Sequence, residues 1–283
     1  MQNKLKFILE LIRFKKPIGF LLLLWPTLSA LFVNLYNIPS IKNIIVFFIG
    51  AFLTRSIGCA INDLCDINID KHVERTKNRP ISSGKLSIKD VLSVIFIIIL
   101  LLLFLVLQLS LNSILFSPFV LLTISIYPLC KRFFSVPQIV LGFAFSLSIL
   151  LIYISEKTIL DNIAICLFLS TIIWAIIYDT QYALVDMDDD LKIEINSSAI
   201  FFGQYSKYVI LILQFFHISA YLYIFFKQKI CIQLLLFFII SFSLIVYQKK
   251  LMEIGKQGSF LAFLNNNYYG FFINIPLIFH FLI

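Results

Sequence analysis

The sequence predicts an all-α integral membrane protein, with nine transmembrane helices arranged as two four-helix halves plus a ninth helix around a central cavity. Three observations predict it. Of the 283 residues, 60% are hydrophobic and only 13% charged, with a mean hydropathy of +0.98, whereas about a quarter of a soluble domain is charged. The apolar residues form continuous runs of Leu, Ile and Phe and not the alternating segments of a membrane barrel. The basic residues change sides from one run to the next, as a helical topology requires.

Crossing about 30 Å of hydrocarbon takes about 20 residues. Runs of that kind stand at 18–36, 41–65, 91–109, 114–129, 137–154, 160–184, 208–226, 230–247 and 268–283. Of the 23 Lys and Arg, Lys42, Lys157, Lys227 and Lys229 fall on one side and Arg55 inside a run, which leaves 18 for the other side. The positive-inside rule makes that richer side cytoplasmic, with the amino terminus inside and the carboxyl terminus outside. The net charge of +8 is thus a matter of topology and forms no patch for nucleic acid.

The whole of 1–283 reads as a single transmembrane domain. Residues 1–17 are expected to be an interfacial amphipathic segment, with Leu5, Ile8, Leu9 and Ile12 as the apolar face of a helix ending at Pro17. A leader peptide with a small-residue ending at Leu28, Ser29 and Ala30 is the other reading of this start, but Trp25 and Pro26 interrupt its apolar stretch. Residues 66–88 and 185–206 are expected to be cytoplasmic loops. Cys59, Cys65, Cys130, Cys166 and Cys231 show no paired spacing, and His72, His217 and His280 are far apart, so neither a zinc site nor a disulfide framework is legible.

Carboxylates are costly near a bilayer, so their placement is informative. Of the 15 Asp and Glu, ten lie in two clusters: Asp63, Asp66, Asp70 and Glu74, then Asp179, Asp186, Asp188, Asp189, Asp190 and Glu194. The clusters follow the second and sixth runs, which puts both on the cytoplasmic side. Asn62, Asp66 and Asp70 are spaced by four, a helical stripe that turns about 40° per step. Adding 120 to their numbers gives Tyr182, Asp186 and Asp190, and four runs separate the two sets, which is the pattern of a duplicated four-helix unit.

Two carboxylates about 6 Å apart repel by roughly 3 kcal/mol at an effective dielectric near 20. Clusters that converge on one cavity therefore need cations. The stripes offer oxygen ligands, which select a hard ion such as magnesium. Arg75 and Arg79 follow the first cluster, and Lys131 and Arg132 end the fourth run on the same side. Carboxylates, magnesium and cationic side chains together stabilise charge on a departing phosphate. A polar site at the membrane boundary above apolar helices suits a diphosphate with a lipid tail.

At these residues the chain resembles the UbiA-type intramembrane prenyltransferases. The family pattern N-D-x-x-D-x-x-x-D and R-T-x-x-R-P stands here from Asn62 to Asp70 and from Arg75 to Pro80, and Y-D-x-x-Y-A-x-x-D-x-x-D-D stands from Tyr178 to Asp190. Tyr127, Pro128, Lys131 and Arg132, then Pro137, Gln138, Leu141 and Gly142, resemble its hydroxybenzoate branch, as do Arg13, Lys16, Pro17, Ile18 and Gly19 with Leu24, Trp25, Pro26 and Thr27. The resemblance runs to Asn266, Asn267 and Gly270. It implies that Asn62, Asp66, Asp70, Asp186 and Asp190 hold magnesium and that the four aspartates among them are catalytic, with Asp63, Asp179, Tyr182 and Arg132 as weaker candidates. It implies further that Arg75, Arg79, Tyr127 and Lys131 bind the diphosphate and that Arg55 binds an aromatic acid. Arg55 precedes Asn62 by seven residues, on the same face and about 10 Å deeper.

The implied reaction is transfer of a polyprenyl group from polyprenyl diphosphate to the carbon ortho to the hydroxyl of 4-hydroxybenzoate, for ubiquinone synthesis in a bacterial inner membrane. Departure of diphosphate leaves an allylic cation that the ring attacks, with Asp186 or Asp190 as candidate base. A naphthoate, homogentisate or haem acceptor is the rival within the family. A membrane transporter is the rival outside it, although transporter acids sit at the midplane and these lie at one boundary.

Overall fold

The computed structural model describes residues 2–35, 38–231 and 234–282. Among them every regular element is helical, in the order α1 (Gln2–Leu11), α2 (Ile18–Leu35), α3 (Ile41–Cys65), α4 (Ile88–Val106), α5 (Leu111–Cys130), α6 (Gln138–Ser155), α7 (Asn162–Lys192), α8 (Ser198–Phe202), α9 (Ser206–Lys227), α10 (Leu235–Glu253) and α11 (Lys256–Phe279). Apolar runs become helices because hydrocarbon offers nothing else to the backbone N–H and C=O groups. Side-chain caps set where they begin. Ser40, Ser110 and Asp161 accept from the backbone at Asn43, Ser113 and Ala164, and Ser87 and Asp90 form a reciprocal capping box ahead of α4.

Among the described residues, 7 helical stretches are long and apolar enough to cross a membrane, those of α3 to α7, of α8 with α9, and of α10. The apolar stretch of α2, Ile18–Asn34, is shorter, and α11 breaks its apolar residues with Asn265, Asn266, Asn267 and Asn274. Tyr36, Ile232, Gln233 and Ile283, each part of an expected run, lie outside the described residues.

Several expected boundaries shift. The last run, expected at 268–283, belongs to a helix that starts at Lys256 and stops at Phe279. Its asparagines look like a break in the sequence but are satisfied inside the bundle. Trp25 and Trp174 donate to Asn267 and Asn266 at 3.2 and 3.1 Å, Asn266 donates to Gln181 at 2.6 Å, and Gln248 donates to Asn265 at 3.0 Å. Gln181 and Gln214 both donate to Gln248, at 3.0 and 2.7 Å, which extends a ladder of buried amides across α7, α9, α10 and α11.

The loop expected at 185–206 is mostly helix, because Ala183, Leu184, Met187 and Leu191 keep helix-forming side chains among the acids and Lys192 complements the carbonyl end. Near the start, α1 ends at Leu11, short of Pro17, where Arg13 takes a positive φ of 58° and donates to the Glu10 carbonyl at 2.9 Å. Its buried face keeps Ile8 and Ile12 of the expected one but not Leu5. Leu11 is fully buried with Phe7, Ile8 and Ile12 against Leu53, Ile57 and Ile98, while Leu5 is exposed.

Helix α7 is central, packed on α6, α9 and α11, and α2 packs on α3, α6 and α11. An added Cβ on Gly142 of α6 would lie 2.8 Å from the Ile172 Cα, so glycine there permits the close approach of α6 and α7. More than half of the apolar stretches of α6 and α7 is buried (56% each), against 17% for α4, which places α4 at the rim facing lipid.

Candidate functional site

Both α3 and α7, at 25 and 31 residues, are longer than the roughly 20 residues a crossing needs. Their excess length carries the acidic motifs to one end of the bundle. On α7, Tyr182, Asp186 and Asp190 remain within the helix as one stripe. On α3 only Asn62 is helical, yet the stripe continues through turns, because the Asp66 amide donates to the Asn62 carbonyl at 2.9 Å and the Asp70 amide to the Asp66 carbonyl at 2.8 Å.

Cations join the two motifs. Arg75 grips Asp186 with two donors, Nε to Oδ1 at 2.9 Å and Nη2 to Oδ2 at 2.5 Å. Its guanidinium lies 4.5 Å above the Tyr182 ring. Burial opposes the Arg75 charge, but the Asp186 bonds outweigh it, so its proton is held more firmly than usual. From the end of α5, Lys131 reaches Asn62 at 3.2 Å and Asp66 at 3.5 Å, with its Nζ 5.6 Å from the Tyr127 ring centre.

Arg79 is shared by Asp70 at 2.8 Å and Asp63 at 3.0 Å. Burial pushes the Asp70 carboxyl up, and the adjacent Arg79 pulls it back down. Asp63 is fully buried and takes two bonds from Arg13 Nη2, at 2.7 and 2.8 Å. It therefore faces Arg13 and Arg79, off the stripe of Asp66 and Asp70. Arg132 points elsewhere, donating to the Cys65 carbonyl at 3.2 Å. Asp190 is half-buried and forms no ion pair among the described residues.

Deeper in the bundle, Arg55 lies within electrostatic range of Tyr127, Tyr178 and Asp179. Gln138 lies beside Asp179, and its Oε1 accepts from the Ser198 amide at 3.0 Å. The Arg55 guanidinium rests on the backbone of α2, where a Cβ added to Gly19 would lie 2.3 Å from its Nε. Neither the Arg13 to Asp63 pairing, 50 residues apart, nor the Gly19 contact follows from spacing. The only trace of them in the sequence is the family pattern around Arg13 and Gly19.

The residues fit a hard divalent ion in donor type: Asn62, Asp66, Asp70, Asp186 and Asp190 each offer side-chain oxygen. Among the described residues no three His, Cys, Asp or Glu side chains are gathered in a metal-binding group, and Arg75, Arg79 and Lys131 pair with Asp186, Asp70 and Asp66. Such ion pairs are exchangeable charge partners, and the same cations suit phosphate oxygens.

The fold and this site define a multi-pass membrane protein with facing acidic and basic side chains at one end of its helical bundle. A family model described as the UbiA prenyltransferase family matches residues 23–267. The chain is 41% identical over 272 residues to the 4-hydroxybenzoate octaprenyltransferase of Photobacterium profundum, covering 96% of this chain and 95% of that protein. To the protein of the same name from Legionella pneumophila (strain Lens) it is 39% identical over 262 residues, 92% of this chain and 93% of the other. The chain belongs to the UbiA prenyltransferase family.

Solved structures share the fold. The apo structure of a UbiA homolog from Aeropyrum pernix K1 superimposes with a TM-score of 0.80 at 17% identity, covering 92% of this chain and 97% of that one. A UbiA homolog from Archaeoglobus fulgidus bound to GPP and Mg2+ gives 0.73 at 16% identity, over 98% and 100%.

Proposed function

We propose that this chain is a magnesium-dependent enzyme that transfers a polyprenyl group from polyprenyl diphosphate to the ring carbon ortho to the hydroxyl of 4-hydroxybenzoate, in ubiquinone biosynthesis. The observation that carries the reading is the junction of the two motifs: Arg75 on Asp186 and Lys131 on Asn62 and Asp66 bring carboxylates, cations and an amide together at one end of the bundle. Relatives at about two-fifths identity, named 4-hydroxybenzoate octaprenyltransferase, support the acceptor and the prenyl donor.

Bound magnesium supplies positive charge to the diphosphate and, held by Asn62, Asp66, Asp70, Asp186 and Asp190, screens the four carboxylates among them from one another. Arg75, Arg79 and Lys131 bind the diphosphate oxygens and stabilise them as the carbon–oxygen bond breaks, with Tyr127 placed beside Lys131. Arg55 holds the acid's carboxylate below, which aims the ring at the departing site. Asp190, which forms no ion pair among the described residues, is the better placed of the two candidate bases to take the proton, and Asp186 is occupied by Arg75.

The helices form a single domain with nine crossings. The first half comprises α2 to α5, the second α6, α7, α9 and α10, and α11 is added last around the central cavity. Repeated packing supports this division: α3 touches α2 and α4 as α7 touches α6 and α9. The distribution of basic residues supports an amino terminus in the cytoplasm and a carboxyl terminus on the far side of a bacterial inner membrane, with α1 at the interface and the acidic motifs facing inward.

Detergent-purified protein supplied with magnesium, polyprenyl diphosphate and a panel of aromatic acids tests this. Diphosphate release should require both substrates, and mass spectrometry should find prenylated 4-hydroxybenzoate. Product with a naphthoate or homogentisate alone would reassign the acceptor, and no release with any acid would remove the enzyme reading.

A further inference from the structure

Tyr178 is almost wholly buried on α7, yet its hydroxyl has no hydrogen-bond partner among the described residues. Its ring is well placed, meeting Trp174 edge-on at 5.6 Å and Phe145 at 6.4 Å. Neither contact uses the oxygen. Buried polar groups are nearly always bonded, so an orphan of this kind needs an explanation.

Position supplies one. Tyr178 precedes Tyr182, Asp186 and Asp190 at the same four-residue spacing, so it continues their stripe about 12 Å below Asp186. Arg55 on α3 lies about 16 Å below Asp66, a similar depth measured from the joined ends of the two helices. Arg55, Tyr127 and Tyr178 are each within electrostatic range of the others. Helix α2 closes the back of the site, since the guanidinium is braced against Gly19. Among the described residues Arg55 has no carboxylate partner at ion-pair distance, with Asp179 only within electrostatic range, so a half-buried cation and a buried neutral hydroxyl donor, neither bonded to a partner, share one level of the bundle.

We propose that the Tyr178 hydroxyl donates a hydrogen bond to the carboxylate that Arg55 holds, and is thereby a specificity-determining residue of the acceptor site. This rests on the reading of Arg55 given above. A carboxylate has lone pairs beyond those one guanidinium can fill, and a phenol satisfies another without adding charge to the interior. An acceptor lacking the acid group leaves both donors unpaired and is rejected on that account.

Tyr178→Phe removes only the oxygen. In the detergent-purified enzyme with magnesium, the KM for 4-hydroxybenzoate should rise about tenfold, and the KM for polyprenyl diphosphate should stay within about twofold. Binding of 4-hydroxybenzoate alone, followed through Trp174 fluorescence, should weaken by the same factor. Thermal stability without substrates should be equal or higher, since the free protein loses no bond. Arg55→Ala, run alongside, separates the failures. If it raises the acceptor KM and Tyr178→Phe does not, the Tyr178 proposal alone is wrong; if neither raises it, the Arg55 reading beneath it goes too. A loss of stability with both KM values shifted equally assigns Tyr178 a structural role and also overturns the proposal.

Discussion

The two acidic motifs are built from the same four-residue spacing but are held in place differently. The first leaves its helix at Cys65, and its carboxylates are fixed from outside: Asp63 by Arg13 and Arg79, Asp70 by Arg79, Asp66 by Lys131. The second stays helical to Lys192, so its backbone fixes the register; Asp186 is gripped by Arg75, while Asp188 and Asp189 pair only with the exposed Lys256 and Lys192. The first segment follows its helix with Ile67, Asn68 and Ile69 and later Pro80, all poorer helix formers than Ala, Leu or Met, whereas the second mixes its acids with those three. One motif is therefore positioned by charge and the other by helix, and the contrast sets which replacements matter.

The largest effect falls where both motifs are needed at once. Asp66→Ala and Asp186→Ala should each lower turnover roughly 1000-fold in membranes with expression intact, and near-normal turnover in either would end the metal reading. Next comes the charge scaffold itself. Arg79→Ala leaves Asp63 and Asp70 buried without their shared cation and should cost about 3 kcal/mol of stability.

Arg75→Ala should cost only about 1 kcal/mol after allowance for solvent screening, since the Arg75 side chain is 33% exposed against 18% for Arg79. Thermal unfolding of the two variants in detergent, side by side, checks the contrast, and equal losses would erase it. The smallest effect lies at the far end of the first motif's turns, where Ser87 caps α4. Ser87→Ala should cost about 0.5 to 1 kcal/mol, with the KM for either substrate unmoved; a change in KM would mean that the turns between Asp66 and Ser87 are less firmly pinned than the ion pairs imply.

Much of this is readable in the chain. Apolar length locates the long helices, because the bilayer converts length into structure with few alternatives. The stripes of Asn62, Asp66 and Asp70 and of Tyr182, Asp186 and Asp190 are visible as spacing alone. The shifted boundaries have one cause: a polar residue inside a membrane helix looks like an ending when its partner is far away in sequence. Asn265 and Asn266 look like a loop because nothing local shows that Gln248, Gln181 and Trp174 meet them, and the acids after Leu184 look like one when charge is weighed above helix propensity. Arg13 on Asp63 and Arg55 against Gly19 are tertiary contacts with no local signature.

The amide ladder across α7, α9, α10 and α11 also bears on how the protein is made. Gln181 leaves the ribosome well before Gln248 and Asn266, the groups that satisfy it, and acyl chains offer it nothing in the interval. The ladder is thus completed only when α11 docks. A nascent chain truncated ahead of Lys256 would hold stranded amides in the membrane, the kind of defect that quality-control proteases recognise.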